Sequence, residues 1–285
     1  MIAITGAAGQ LGRLVIEDLL AAGVPAGDIV AVVRTPAKVA DLAEKGVVVR
    51  EADYEQPAAL TAALTGVDTL LLVSGSDFGR RIPQHTNVID AAKAAGVGRV
   101  AYTSILHADT TQVSLAVDHK ATEEVILASG LPYTFLRNGW YYETAFGDVA
   151  DSVARGALVG ASGDGRVAYA TRSDFAAAAV AVLTGTGHEN RIYELGGDRS
   201  LTMTEIAEAI SEASGRTVVY QDLGADGYAG MLGSVGLPAP VVEMLADIQA
   251  GNRRGELEVT SGDLEKLIGR PSTPAVDYFR SALNA

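Results

Sequence analysis

The first thirteen residues constrain this chain more than any other stretch. A short apolar strand, Ile2 to Ile4, runs into glycines at positions 6, 9 and 12 and then into an amphipathic helix, Leu14 to Leu20. Glycines spaced as GxxGxxG let the backbone turn sharply off the strand, approach an anion and pack the new helix on a sheet. The helix start then offers unpaired N–H groups and a positive dipole end to a pyrophosphate. The run Gly6, Ala7, Ala8, Gly9, Gln10, Leu11 and Gly12 is therefore the expected dinucleotide cradle.

The next predicted strand, Ile29–Val33, distinguishes between dinucleotides. NAD sites place an Asp or Glu at its end, roughly 20 residues past the glycines, to accept from the ribose 2′-OH. Here that position holds Arg34, followed by Thr35 and, a turn later, Lys38. A guanidinium grips a 2′-phosphate bidentately, whereas a carboxylate repels it. The expected cofactor is NADPH. Asp53 follows a third strand and fits two roles equally: accepting from the adenine amino group or capping the helix that starts near Pro57. After the fourth strand, Thr69–Val73, the small residues Ser74, Gly75 and Ser76 leave room for a ligand, and Arg81 and Gln84 can reach phosphate or ribose.

Composition narrows the function classes. A net charge of −13 with a pI near 4.7 and no long basic run argues against nucleic acid and anionic membranes as partners. The chain has no cysteine, which excludes disulfides, thiolate metal sites and thiol nucleophiles, and its 4 histidines form no metal-binding pattern. The N-terminus enters a strand directly and no apolar run reaches membrane-spanning length, so a cytoplasmic protein without a membrane span is expected. A homo-oligomer stays open.

Apolar runs alternate with helical patterns through roughly residue 140. The strands read as Ile2–Thr5, Ile29–Val33, Val47–Arg50, Thr69–Val73, Arg99–Ser104 and Tyr133–Arg137, with helices near 10–22, 37–45, 57–65, 81–95 and 119–129. This order predicts an α/β fold, a doubly wound parallel Rossmann sheet. A helix over Phe175–Leu183 and a strand over Arg191–Leu195 return to it. Residues 1–138 and about 167–198 are assigned to an NADP-binding domain, and about 139–166 and 199–285 to a smaller α/β lobe across a cleft. In that lobe Leu201–Ser214 reads as a helix capped by Thr202, Thr217–Gln221 as a short strand, 225–235 and 238–250 as helices, and Gly251–Gly255 as a loose segment. Arg172 and Asp174 read as an ion pair.

Several runs carry a resemblance. They include the N-terminal glycine run, Ala52-Asp53-Tyr54, Pro83-Gln84-His85, Ala101-Tyr102-Thr103-Ser104, Leu136-Arg137-Asn138-Gly139-Trp140-Tyr141 and Leu267-Ile268-Gly269-Arg270-Pro271. On these the chain resembles the NmrA-like atypical short-chain dehydrogenase/reductases, and within them the type 2 NAD(P)H:quinone oxidoreductases, over nearly its whole length. The resemblance implies a Rossmann domain, Arg34 on the 2′-phosphate of NADPH, and hydride transfer to a quinone.

One departure from the family pattern matters. Ordinary members carry a Tyr-x-x-x-Lys pair, but here the helix reads Leu115-Ala116-Val117-Asp118-His119-Lys120, and the lysine position falls on His119. Quinone reduction survives this loss, because a quinone accepts hydride readily and the hydroquinone anion is weakly basic. His119 can stabilise that anion, relay a proton or simply contact ribose. Asn138 follows the sixth strand, where it can bond a quinone carbonyl or the nicotinamide amide, and Trp140 and Tyr141 can stack on a flat ring. Core packing is the competing role for Trp140 and Tyr142. Thr103 ends the fifth strand at the same edge, and the substrate is expected between the nicotinamide and the second lobe. The alternative to an enzyme is an NADP(H)-binding sensor of the NmrA type.

Overall fold

The computed structural model describes residues 1–75, 77 and 79–284. Strands β1 (Ile2–Ile4), β2 (Ile29–Val33), β3 (Val48–Glu51), β4 (Thr69–Leu72), β5 (Arg99–Ile105) and β6 (Tyr133–Asn138) alternate with helices α1 (Gln10–Ala21), α2 (Ala40–Glu44), α3 (Pro57–Leu64), α4 (Arg81–Ala95) and α5 (Ala116–Ser129). Then come α6 (Tyr142–Ala145), α7 (Val149–Arg155), β7 (Ala157–Gly160), α8 (Arg172–Thr184) and β8 (Arg191–Leu195). The chain ends with α9 (Met203–Ser214), β9 (Val219–Asp222), α10 (Gly224–Ser234), α11 (Ala239–Arg253), α12 (Asp263–Ile268) and α13 (Ala275–Leu283).

Seven strands form one sheet in the order β3-β2-β1-β4-β5-β6-β8. The pairs β1–β2, β2–β3, β1–β4 and β4–β5 are parallel. Every residue of β2 and β5 is buried, as expected of strands covered on both faces. Chain order reverses between β1 and β4, the switch point at which such sheets open a crevice beyond their carboxyl ends.

The chain divides into two compact units. The first comprises Met1–Ile105, Asp118–Arg137 and Phe175–Tyr193, and the second Leu106–Val117, Asn138–Asp174 and Glu194–Ala285. Leu70, Leu72, Val88, Ile126 and Phe135 belong to the core of the first. The second packs around Tyr142, Phe146, Tyr169, Ile206 and Phe279, with Tyr142 stacked between Tyr169 and Tyr278. Tyr142 is thus a core residue. A small parallel pair, β7–β9, lies in this unit, where the sequence indicated only its second strand.

Two local expectations are corrected. Arg172 does not pair with Asp174; Arg270 does, at 2.8 Å, and Thr171 and Thr273 also donate to that buried carboxylate. The Arg172 guanidinium instead donates to Thr144 and lies over the Tyr141 ring. Residues 251–253 are not a loose segment but the last turn of α11. That end is anchored because Asp247 and Glu256 accept the backbone N–H groups of Ser114 and Gln112.

Candidate active site

The β1–α1 turn is built from backbone. Gly6 sits at φ +59°, a left-handed conformation that disfavours any side chain. A Cβ on Gly12 would stand 2.5 Å from the Gly6 carbonyl oxygen, so the helix could not pack this close with any other residue. Helix α1 starts at Gly9 with no side-chain cap, and Gly9 and Gln10 are exposed. The Gly9 N–H is taken by the Gly6 carbonyl at 2.8 Å, and the N–H groups that follow it in the first turn carry no side-chain cap. Ala7 and Leu11 are buried beneath the turn, and Ala8 is exposed. Arg13 turns away to pair with Asp41 and the Lys38 carbonyl.

Arg34 lies exposed at the end of β2, and no described residue forms a hydrogen bond or ion pair with its guanidinium. An uncapped helix start and an uncommitted guanidinium fit the pyrophosphate and 2′-phosphate of NADPH. Asp53 accepts the Glu55 N–H at 2.9 Å, which makes a local turn; Gln56, not Asp53, occupies the cap position of α3.

The segment after β4 is constructed the opposite way. Three successive N–H groups are each taken by a side chain from a different element. Val73 donates to Thr5 Oγ1 at 3.1 Å, Ser74 to Thr103 Oγ1 at 2.9 Å and Gly75 to His85 Nε2 at 3.1 Å. Arg81, 5% exposed, donates to the Gly75 carbonyl and faces Asp118. Gln84 donates to Glu55 and Asp77. Ser76 lies outside the described residues.

Behind this segment runs a row of rings: Tyr54, His85, Tyr102 and His119, each centroid 5.6–6.3 Å from the next. The Tyr102 hydroxyl is 2.8 Å from His119 Nδ1. Burial, helped by the Arg81 charge, pushes His85 down to about 3, and burial with Arg81 and His85 does the same to His119. Burial and the Arg81 charge thus hold both imidazoles toward the neutral form at physiological pH. Nearby, Glu123 takes two bonds from Arg137 and a 2.6 Å bond from Ser104, a buried pair whose charges satisfy each other. Sequence reasoning missed the Tyr102–His119 and Glu123–Arg137 pairs. The family-like runs contained Tyr102 and Arg137, but nothing local pointed to their partners.

In the second unit, Asn138 is 5% exposed. Its Nδ2 donates to the Tyr141 hydroxyl at 3.1 Å, and its Oδ1 is buried without a hydrogen-bond partner among the described residues. Trp140 is partly buried against that unit's core. Among the described residues no cluster of three or more His, Asp or Glu could hold a metal ion, and no helix is long and apolar enough to cross a membrane.

Residues 6–186 match the family model described as NAD(P)H-binding. Across 284 residues the chain is 52% identical to quinone oxidoreductase 2 of Escherichia coli, covering 100% of this chain and 99% of that one. The crystal structure of the E. coli NADPH-dependent quinone oxidoreductase QOR2 with NADPH superposes with a TM-score of 0.96, at 50% identity and full coverage of both chains. An Aspergillus flavus NmrA-like family domain-containing oxidoreductase is 31% identical over 98% of this chain and 94% of its own. With its Rossmann sheet, open glycine turn and end-to-end likeness to these proteins, the chain belongs to the NAD(P)H-binding, NmrA-like oxidoreductase family.

Proposed function

We propose that this protein is an NADPH-dependent oxidoreductase that reduces a quinone by hydride transfer, without flavin. The observation that carries the reading is the uncapped start of α1 together with the uncommitted Arg34 guanidinium, in a chain alike from end to end to a quinone reductase. When bound there, NADPH supplies the hydride. Arg34 holds the 2′-phosphate, and the N–H groups at the start of α1 hold the pyrophosphate.

Asn138 has the right chemistry to orient a carboxamide or a carbonyl. As placed, its open atom is Oδ1, an acceptor suited to the nicotinamide amide N–H. With the amide flipped, Nδ2–H would face a quinone oxygen and Oδ1 would accept from Tyr141. Trp140 and Tyr141 flank a flat ring by stacking. A quinone also suits a chain that lacks Tyr-x-x-x-Lys, since orientation supplies most of what so strong an acceptor needs.

Mixing purified protein with NADPH and a panel of quinones tests the reading by the loss of NADPH absorbance. Steady oxidation with at least one quinone, in protein free of flavin, supports it. Tight NADPH binding with no turnover against any quinone would assign the chain to the sensor class instead.

A further inference from the structure

The four-ring row behind the β4 segment contains two histidines that the reaction as stated does not fully use. The geometry fixes the tautomer of the first. His85 Nε2 accepts the Gly75 N–H, so its proton resides on Nδ1, which donates to Thr122 Oγ1 at 3.0 Å; Thr122 passes its own proton to the Asp118 carbonyl at 2.8 Å. The second histidine has the same kind of partner. Tyr102 is completely buried on β5, and a buried hydroxyl must place its proton on an acceptor. His119 Nδ1 lies within reach at 2.8 Å; the Thr122 and Ser74 hydroxyls also neighbour the Tyr102 oxygen, but both lower the Tyr102 pKa, as donors to that oxygen do, and Thr122 already receives the His85 proton. His119 Nε2 has no hydrogen-bond partner among the described residues, and the side chain is only half-buried.

We propose that Tyr102 is a positioning residue for the reduction: its hydroxyl donates to His119 Nδ1, fixes the imidazole proton on Nε2 and makes that N–H a hydrogen-bond donor to the acceptor's carbonyl oxygen. This role rests on the quinone-reductase reading above. A neutral imidazole N–H polarises a carbonyl without giving up its proton; hydride from NADPH leaves the hydroquinone mono-anion and NADP+, and the anion takes its remaining proton from water. The titratable and charged groups around His119 are Arg81 and His85 on α4, Tyr102 on β5 and Asp118 beside it on α5. Burial first, and the Arg81 charge after it, oppose a second proton on the ring and favour His119 as a neutral donor.

The test combines nitrogen-15 NMR of the histidines in the full chain with steady-state kinetics. In the unaltered protein His119 should show a bare Nδ1 and a protonated Nε2 throughout the neutral range, with kcat flat through the pH at which a free histidine titrates. Tyr102→Phe keeps the ring that fills the core and removes only the hydroxyl. It should release the tautomer preference and lower kcat by about ten-fold, the scale of one hydrogen bond, with NADPH affinity little changed. His119→Gln, which still carries an N–H donor, should retain more turnover than His119→Leu. A wild-type His119 protonated on Nδ1, or on both nitrogens, overturns the proposal even if Tyr102→Phe fails to fold. So does quinone turnover that Tyr102→Phe leaves unchanged, and in that case the reductase reading stands. A fixed tautomer in a chain that reduces no quinone overturns both.

Discussion

Two turns leave the carboxyl edge of the same sheet, and they handle their backbone N–H groups in opposite ways. After β1 the N–H groups opening α1 carry no side-chain cap, and Arg34 beyond β2 is uncommitted. After β4 the N–H groups of Val73, Ser74 and Gly75 are all taken by Thr5, Thr103 and His85, and Arg81 and Gln84 are bonded into the same segment. An open donor is free to meet an anionic ligand, whereas a satisfied one sets the shape of a wall. The first turn should therefore discriminate between cofactors, and the second should affect all of them alike.

The sharpest way to break this contrast is at Gly12. A side chain there collides with the Gly6 carbonyl oxygen, which cannot move without opening the turn. Gly12→Val should cost about 1–3 kcal/mol of stability through overpacking and abolish measurable NADPH binding. Thermal unfolding and calorimetry check both, and a variant that binds NADPH normally would show the turn to be far more pliable than its packing implies.

Arg34→Ala comes next. It should weaken NADPH by about 1.5–3 kcal/mol, the scale of a hydrogen bond to a charged group, and leave NADH nearly unchanged. Equal losses for both cofactors would place the discriminating charge elsewhere, with Lys38 the next residue to test.

On the closed turn the expected effect is smaller and unselective. Thr103→Val removes the acceptor for the Ser74 N–H and should cost about 1–2 kcal/mol of stability. Its effect on NADPH and NADH should be the same within error in paired titrations. A loss confined to NADPH would mean that this wall reads the 2′-phosphate after all.

Near neutrality the smallest effect is a pH dependence, which grows only as the solution turns acid. His85 and His119 are held neutral in the fold at about 3, well below their ordinary 6.5, so the unfolded chain binds protons that the folded one refuses. The stability this contributes is fully present above about pH 6.5 and is lost as pH falls toward about 3. His85→Gln keeps an acceptor for Gly75 and should flatten the fall of Tm across that window. An unchanged slope would show that His85 titrates in the folded protein as it does in the unfolded chain.

The same contrast explains what could be read from sequence. The glycine turn, the central strands and Arg34 obey local rules of backbone sterics, period and position along a strand, and all were legible. Side-chain pairs that join distant elements were not. His119 was visible as a polar residue in a family-like position, but its partner Tyr102 lies on β5 and the two meet only once α5 packs on the sheet. Asp174 was matched with its neighbour Arg172, yet it found Arg270, because the C-terminal segment folds back over it. Helices α6 and α7 and strand β7 span seven residues or fewer, too short for a periodic pattern to stand out.

In the proposed reaction the open turn holds NADPH for direct hydride transfer to a quinone. NADPH deuterated on one face of the nicotinamide at a time tests it most directly. A primary isotope effect on quinone reduction is expected for one face and none for the other, in flavin-free protein. Quinone-independent binding with no oxidation, or turnover that shows no isotope effect on either face and vanishes when flavin is removed, would contradict it.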